Sequence, residues 1–531
     1  MISTIFQEND LIPIPEASRW ATAFLRKPVS TSNIGYLIQY ALIKKHDDNG
    51  TPAVSLSELK SYYEQNKKYT EAKWSKDESL NWALSFSNCT EAETTKHVHR
   101  LHPYKGKFIP QLVEYFLDAH TDAFKKEVYF KAGDLVLDPF CGSGTTLVEA
   151  NELGINAIGT DVSLFNTLIA NCKIDEVDMF ALEREIDAIT TKLQVHYKQT
   201  TLADFENAFM EKLADFNTKY FSSYEYKTAI RNKTINEKEY SKQKVAEFMP
   251  TYTALTEKYG ISLETDEKSF LTKWFLPSVR EELYLVCDLI NAVNDEKIRN
   301  VLTVLLSRTM RSCRATTHSD LATLLEPVKT PYYCTKHYKI CKPLFSITKW
   351  WGTYSKDTVN RLYQFSQLRT KTAQLCVTGD SRTIDLTAEL QNKNPALAEV
   401  LKTQKLQGIF SSPPYVGLID YHEQHAYAYE LFCFPRRDTQ EIGPLRNGQT
   451  LDARSAYVEG IAEVLLNCKK YLADDYNVFL VANDKYNLYP SIAEKAGMKI
   501  VNRYERPVLN RTEKAKNAYS ETIFHLKEAT E

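Results

Sequence analysis

The sequence predicts an α/β protein with a Rossmann-like core, a large mainly helical insert and a helical N-terminal region. Three observations carry this. From Asp134 the chain reads DLVLDPF, CGSG, TTLVEANELG and NAIGTDVS, which is strand, Gly-rich turn, helix and strand in the order of one βαβ unit. A long stretch with helical spacing and charged faces comes next. Strand-like segments then return in the last third of the chain.

Each part follows from its own pattern. Residues 1–95 form the helical N-terminal region, with IGYLIQYALIKK and SLNWALSF supplying apolar spacing. Residues 96–174 hold the first part of the core. Residues 175–370 form the insert, where KLQVHYKQTTLADFENAFMEKLADF shows few Val/Ile alternations. Residues 371–531 complete the core through QLCVTGD, LQGIFSSPPY, NVFLVAND, MKIVNRYERP and ETIFHLKE. The last two are long enough to pair as an antiparallel edge hairpin.

Bulk properties narrow the class. At 531 residues the chain is too long for one ordinary core. Hydrophobic residues at 43% and charged residues at 25% are the mix of a soluble globular protein. No run approaches the ~18–20 apolar residues that cross a bilayer. The first residues lack a basic patch followed by an apolar stretch, so no secretory signal and a cytoplasmic location are expected. Ten scattered cysteines read as reduced thiols rather than a disulfide framework. A net charge of -2 means that any nucleic-acid surface is local.

The most specific string is Asp138-Pro139-Phe140-Cys141-Gly142-Ser143-Gly144-Thr145-Thr146, at a strand-to-helix junction. Two glycines two apart permit a tight turn and bring a ligand against the helix start. Asp161 ends the next strand, at the spacing where an acidic residue meets ribose hydroxyls. The third glycine of a dinucleotide fingerprint is absent, because Leu147 stands there. A nicotinamide or flavin cofactor is thereby disfavoured. Ser411-Ser412-Pro413-Pro414-Tyr415 comes directly after a later apolar strand. The Pro-Pro pair stiffens the loop and cannot donate hydrogen bonds. A carbonyl and the adjacent side-chain oxygen can accept both protons of an amine, and Tyr415 offers a ring for a base to stack on.

Together these strings resemble the motifs of the DNA amino-methyltransferases, which methylate exocyclic amines of adenine or cytosine. The resemblance covers residues 100–165 and 374–528. It implies a class I methyltransferase core, S-adenosylmethionine as cofactor, double-stranded DNA as partner and direct methyl transfer to a flipped base. By the same resemblance Ser412, Pro413, Pro414 and Tyr415 form the catalytic loop. Asp138, Phe140, Gly142, Gly144, Thr145 and Asp161 bind the cofactor. The upstream segment His102–Pro110 resembles the family's N-terminal cofactor motif, in which Lys107 and Phe108 approach the methionine end. Asp380, in Gly379-Asp380-Ser381-Arg382, meets the adenine ring. Ser in the first position of the tetrapeptide is typical of enzymes acting on cytosine N4, whereas Asp or Asn is typical of adenine enzymes. Gly417, Asp420, Tyr421 and His422 also resemble the residues just downstream of SPPY in cytosine-type members. Two departures stand out. CKKYLADDYN before the fifth strand lacks the family's glycine, and the cofactor motif precedes SPPY, an order many cytosine-type relatives reverse.

A modification enzyme of a bacterial restriction-modification system is expected, with a cognate endonuclease elsewhere and activity at the nucleoid. Adenine N6 methylation, RNA base methylation and an inactive nucleic-acid-binding subunit are the alternatives. The basic and aromatic stretch 308–351 is the first candidate DNA surface, through Arg308, Arg311, Arg314, Lys336 and Lys339. Arg436 and Arg437 belong to a second, at 434–454. Cys334, His337 and Cys341 lie close in sequence, and Cys313 or His318 could be a fourth ligand. Paired CxxC knuckles are missing, so these read as buried thiols and a surface histidine, and no metal is expected.

Overall fold

A computed structural model describes residues 10–25, 29–40, 42–48, 50–64, 80–318, 320, 324–508 and 519–529. The chain divides into two compact units. One comprises residues 79–200, 263–314 and 344–531; the other comprises 1–78, 201–262 and 315–343.

The larger unit is built on a seven-stranded sheet. Its strands are β1 (Leu135–Asp138), β2 (Asn156–Asp161), β3 (Gln374–Thr378), β4 (Leu406–Ser411), β5 (Leu472–Ala482), β6 (Met498–Pro507) and β7 (Ser520–Glu528). The order across the sheet is β6-β7-β5-β4-β1-β2-β3. Strands β1 to β5 run parallel, and β7 is antiparallel to both β5 and β6. Every residue of β1 is buried, as expected of a central parallel strand covered on both faces. Pairs such as Leu137↔Ile158 and Leu137↔Ile409 set the register. The chain moves outward from β1 to β2 and β3, then crosses back to β4 on the far side of β1. The crevice beyond the C-terminal ends of β1 and β4 is therefore the topological switch point, where open α/β sheets bind ligands.

Three helices frame that crevice. α1 (Pro110–Leu117) starts with proline at its first turn, where the missing amide hydrogen costs nothing. α2 (Thr145–Glu152) follows β1, and α3 (Leu164–Ile174) follows β2 with Ser163 as N-cap, its hydroxyl accepting from the Asn166 amide at 3.2 Å. The missing glycine before β5 has a simple reason. Helix Leu451–Lys469 ends on right-handed Lys470, and the strand begins at Leu472, so no left-handed residue is needed.

The smaller unit contains helices Ile14–Leu25 and Thr31–Gln39 beside a three-stranded antiparallel sheet, Leu11–Pro13, Thr51–Ser55 and Lys45–Asp48. The sheet was not expected from the sequence. Lys45-His46-Asp47-Asp48 is polar on both faces and carries no alternation. The segment SLNWALSF yields only the short turn of helix Trp82–Ser85, in the larger unit. The same smaller unit holds the long helices Leu202–Tyr220 and Glu237–Tyr259 and the hairpin of strands Tyr332–Cys334 and Lys339–Cys341. Among the described residues, no helix is long and apolar enough to cross a membrane.

Candidate active site

The turn after β1 is shaped by two glycines in the left-handed region, Gly142 at φ +50° and Gly144 at φ +76°. A Cβ on Gly142 would lie 3.0–3.1 Å from ring atoms of Tyr104, and one on Gly144 would lie 2.9 Å from Ala170 Cβ in α3. The first glycine lets the turn lie against Tyr104. The second lets α2 start against α3. The Gly142 amide donates to Asp161 Oδ2 at 2.8 Å, while the Ser163 amide (2.8 Å) and Asn166 Nδ2 (3.1 Å) donate to Oδ1. Burial raises the Asp161 carboxyl above its ordinary pKa, and these hydrogen bonds oppose the rise.

The ends of β3 and β4 close on the same place. Asp380 is gripped by Arg382, Nε to Oδ1 at 2.9 Å and Nη2 to Oδ2 at 2.6 Å. Ser411 Oγ donates to Asp138 Oδ1 at 2.5 Å, and Thr146 Oγ1 donates to the Phe410 carbonyl at 3.3 Å. These two bonds lock the SPPY loop to the glycine turn. Asp138 is 1% exposed, and burial lifts its carboxyl to about 6 although Ser411 and the Phe140 amide hydrogen-bond to it.

The result is a pocket of about 780 Å³, counted with the solvent-filled space at its open mouth. Lys107, Phe108, Phe140, Gly142, Thr145, Asp161, Asp380, Ser412 and Pro414 line it. Lys107 Nζ donates to the His99 carbonyl at 2.6 Å, and burial depresses its ammonium to about 8. Phe108 sits edge-on to Phe410 at 5.5 Å. Four residues singled out in the sequence stand outside this lining. Asp138 and Gly144 are structural supports, and Pro413 is buried. Tyr415, read as a ring for base stacking, instead donates its hydroxyl to Glu521 Oε1 on β7 at 2.9 Å and packs on the sheet's core.

Other lining residues carried no assigned role. Tyr104 and Tyr421 lie near-parallel at 6.2 Å, inside segments that the sequence had drawn attention to. Asn166, Gln440, Glu441 and Ile442 belong to no motif. The 440–442 wall is held by His422, whose Nδ1 lies 2.5 Å from Glu441 Oε1. The Arg437 amide donates to His422 Nε2 at 3.1 Å, which places the ring proton on Nδ1. Arg446 Nη1 donates to Glu441 Oε2 at 3.1 Å.

The arginines expected to meet DNA are placed differently. Arg308 is buried in helix Glu296–Cys313, paired with Asp357 at 2.6 Å and lying 4.2 Å over Tyr354. Arg314 is buried near the Tyr427 ring, and Arg311 is half-buried. Arg308 and Arg314 are therefore not open phosphate contacts. The apolar face of the helix carried Arg308 inward, Arg314 follows directly after the helix end, and the sequence around them gave no partner for Arg308. Arg436 is exposed but paired with Asp438 (2.6 Å) and Glu423 (3.1 Å), and Arg437 is half-buried. Lys336 and Lys339 are exposed on the hairpin of the smaller unit.

The pocket suits a nucleoside carrying a charged tail. It offers three carboxylates (Asp161, Asp380 and Glu441), the Lys107 ammonium and aromatic walls. Three of its polar atoms, Ser143 Oγ, Asn166 Oδ1 and Gln440 Oε1, are buried without a hydrogen-bond partner among the described residues. Buried polar atoms are normally satisfied, so these fit a polar ligand. A sheet of this order, with this pocket at its switch point, has the architecture of a Rossmann-like methyltransferase.

Comparison with known proteins narrows the class. A family model described as DNA methylase matches residues 24–171, and one described as an RMKL-like methyltransferase domain matches 123–225. The chain is 44% identical to the type II methyltransferase M.MjaII of Methanocaldococcus jannaschii over 97% of both proteins. It is 31% identical to M.MvaI of Kocuria varians over 24% of this chain and 28% of that protein. With M.BsoBI of Geobacillus stearothermophilus it shares 30% identity over 27% of this chain and 28% of the relative. The chain belongs to the type II DNA methyltransferases.

Proposed function

We propose that this enzyme methylates cytosine N4 within a short sequence of duplex DNA, as the modification partner of a restriction endonuclease. The observation that carries the reading is Ser412. It lines the pocket at the first position of SPPY, where a short hydroxyl stands in place of an acidic or amide side chain.

On this reading Asp161 takes the ribose hydroxyls of S-adenosylmethionine, Asp380 the adenine amine, and Lys107 with Phe108 the methionine end. Ser143, Asn166 and Gln440 supply the further polar contacts their unpartnered atoms call for. The donor, when bound, supplies an electrophilic methyl group on a sulfonium. Ser412 Oγ and a main-chain carbonyl of the proline loop accept the two N–H bonds of the target amine, leaving its lone pair free to attack. Pro413 and Pro414 keep those acceptors fixed. The proton shed by the methylated amine passes to solvent water, since neither a serine hydroxyl nor a main-chain carbonyl is basic enough to keep it. Ser411 and Thr146 hold the loop to the glycine turn, so that donor and acceptor sites share one register. A base stacked in a duplex cannot enter a pocket at the end of a sheet, and it is flipped out to react.

The test is single-molecule sequencing of DNA from cells expressing this chain, followed by nucleoside mass spectrometry. N4-methylcytosine in one sequence context is expected. N6-methyladenine in place of it overturns the base assignment.

A further inference from the structure

We propose that the smaller unit holds a structural zinc ion, bound by His318, Cys334, His337 and Cys341. One ligand atom from each of the four lies within 4.8 Å of every other. A tetrahedral zinc with sulfur at ~2.3 Å and nitrogen at ~2.0–2.1 Å separates its ligand atoms by about 3.3–3.8 Å. His337 Nδ1 is already 3.4 Å from Cys341 Sγ. Small side-chain rotations bring the remainder to that spacing.

The backbone explains how residues so spaced come together. Strands Tyr332–Cys334 and Lys339–Cys341 form a tight hairpin, in which the His337 and Tyr338 amides both donate to the Cys334 carbonyl, at 3.1 and 2.7 Å. Tyr338 takes the left-handed conformation, φ +52°, which the turn requires. His318 arrives from outside the hairpin. Its amide donates to Tyr332 Oη at 3.1 Å, and its Nδ1 is 2.8 Å from the same oxygen. That contact fixes the imidazole and leaves Nε2 for a metal, the usual arrangement of a ligating histidine with an outer partner. The His318 and His337 rings meet edge to face at 4.5 Å.

The donor chemistry selects the ion. Two thiolates and two imidazoles neutralise Zn²⁺ and suit it better than a hard oxygen-seeking cation. Four protein ligands leave no open position, so the site is structural rather than catalytic. Both cysteines are free thiols. The chain's other clustering of this kind among the described residues is His97, His99, Glu149 and Glu152. There Lys96 already contributes a cation to Glu149 (3.2 Å) and Glu152 (2.9 Å), and no metal is called for.

Metal analysis of the full chain, purified without chelator under reducing conditions, tests this. About one zinc per chain is expected. C334S and C341S should each lose it, while C433S, at an exposed thiol outside the cluster, should keep it. H337C should also keep it, which separates loss of a ligand from loss of folding. Cobalt reconstitution should give tetrahedral visible bands and a thiolate charge-transfer band that C334S lacks. Wild-type protein that takes up no zinc or cobalt when reconstituted, a Cys334–Cys341 disulfide in its place, or metal retained by C334S would each overturn the site.

Discussion

Replacing Asp138 with asparagine should change how stability depends on pH. Asp138 is fully enclosed at the end of β1, and burial raises its carboxyl from 3.8 to about 6. A group whose folded pKa lies above its unfolded value weakens the fold when it is ionised. The penalty is complete above pH 6, shrinks as pH falls through 6, and is gone below 3.8. A shift of roughly two units corresponds to about 3 kcal/mol, of which about 2 kcal/mol is relieved between pH 7.5 and 4.5. Asparagine has nearly the same shape and can still accept from Ser411 Oγ and the Phe140 amide through its Oδ1. D138N should therefore gain stability relative to wild type at pH 7.5 and lose most of that gain at pH 4.5. Urea unfolding of both proteins at the two pH values measures this. Glu149, lifted by burial to about 8, shapes both profiles alike and cancels in the difference. If the wild-type and D138N midpoints stay equally far apart at both pH values, the carboxylate does not carry a burial penalty and the reasoning fails.

Four further outcomes are expected from the same geometry. G144V should destabilise the larger unit by about 2–4 kcal/mol, since a left-handed β-branched residue is strained and its Cβ meets Ala170, and a thermal melt reads this. D161A should weaken S-adenosylmethionine binding by at least about tenfold in calorimetry, because a buried polar contact is left unmade. S412A should leave that affinity near wild type but cut methyl transfer by roughly 10²-fold in a single-turnover assay, since it removes a contact made to the amine alone. Lys107 is charged below about 8 and neutral above it, so donor affinity should fall as pH rises through 8 in wild type and stay flat in K107M.

Local strings carried much of this enzyme in legible form. DPFCGSGTT encodes a backbone path that glycine alone follows cheaply, and Pro413-Pro414 encodes a rigid loop end; both act through their own dihedral angles, so both are visible without the fold. The strands β6 and β7 were likewise readable, because two long strand-like segments in succession at the end of the chain suit an antiparallel pair. Tertiary structure alone decided the rest. It gave Tyr415 to Glu521 on a distant strand, drew Arg308 inward to Asp357, built the 440–442 wall from His422, and carried His318 to the thiols of a hairpin. It also joined residues 201–262 and 315–343 to the N-terminal residues as one unit. Such pairings depend on which surfaces exclude water together across long loops, and no short stretch of sequence contains both partners.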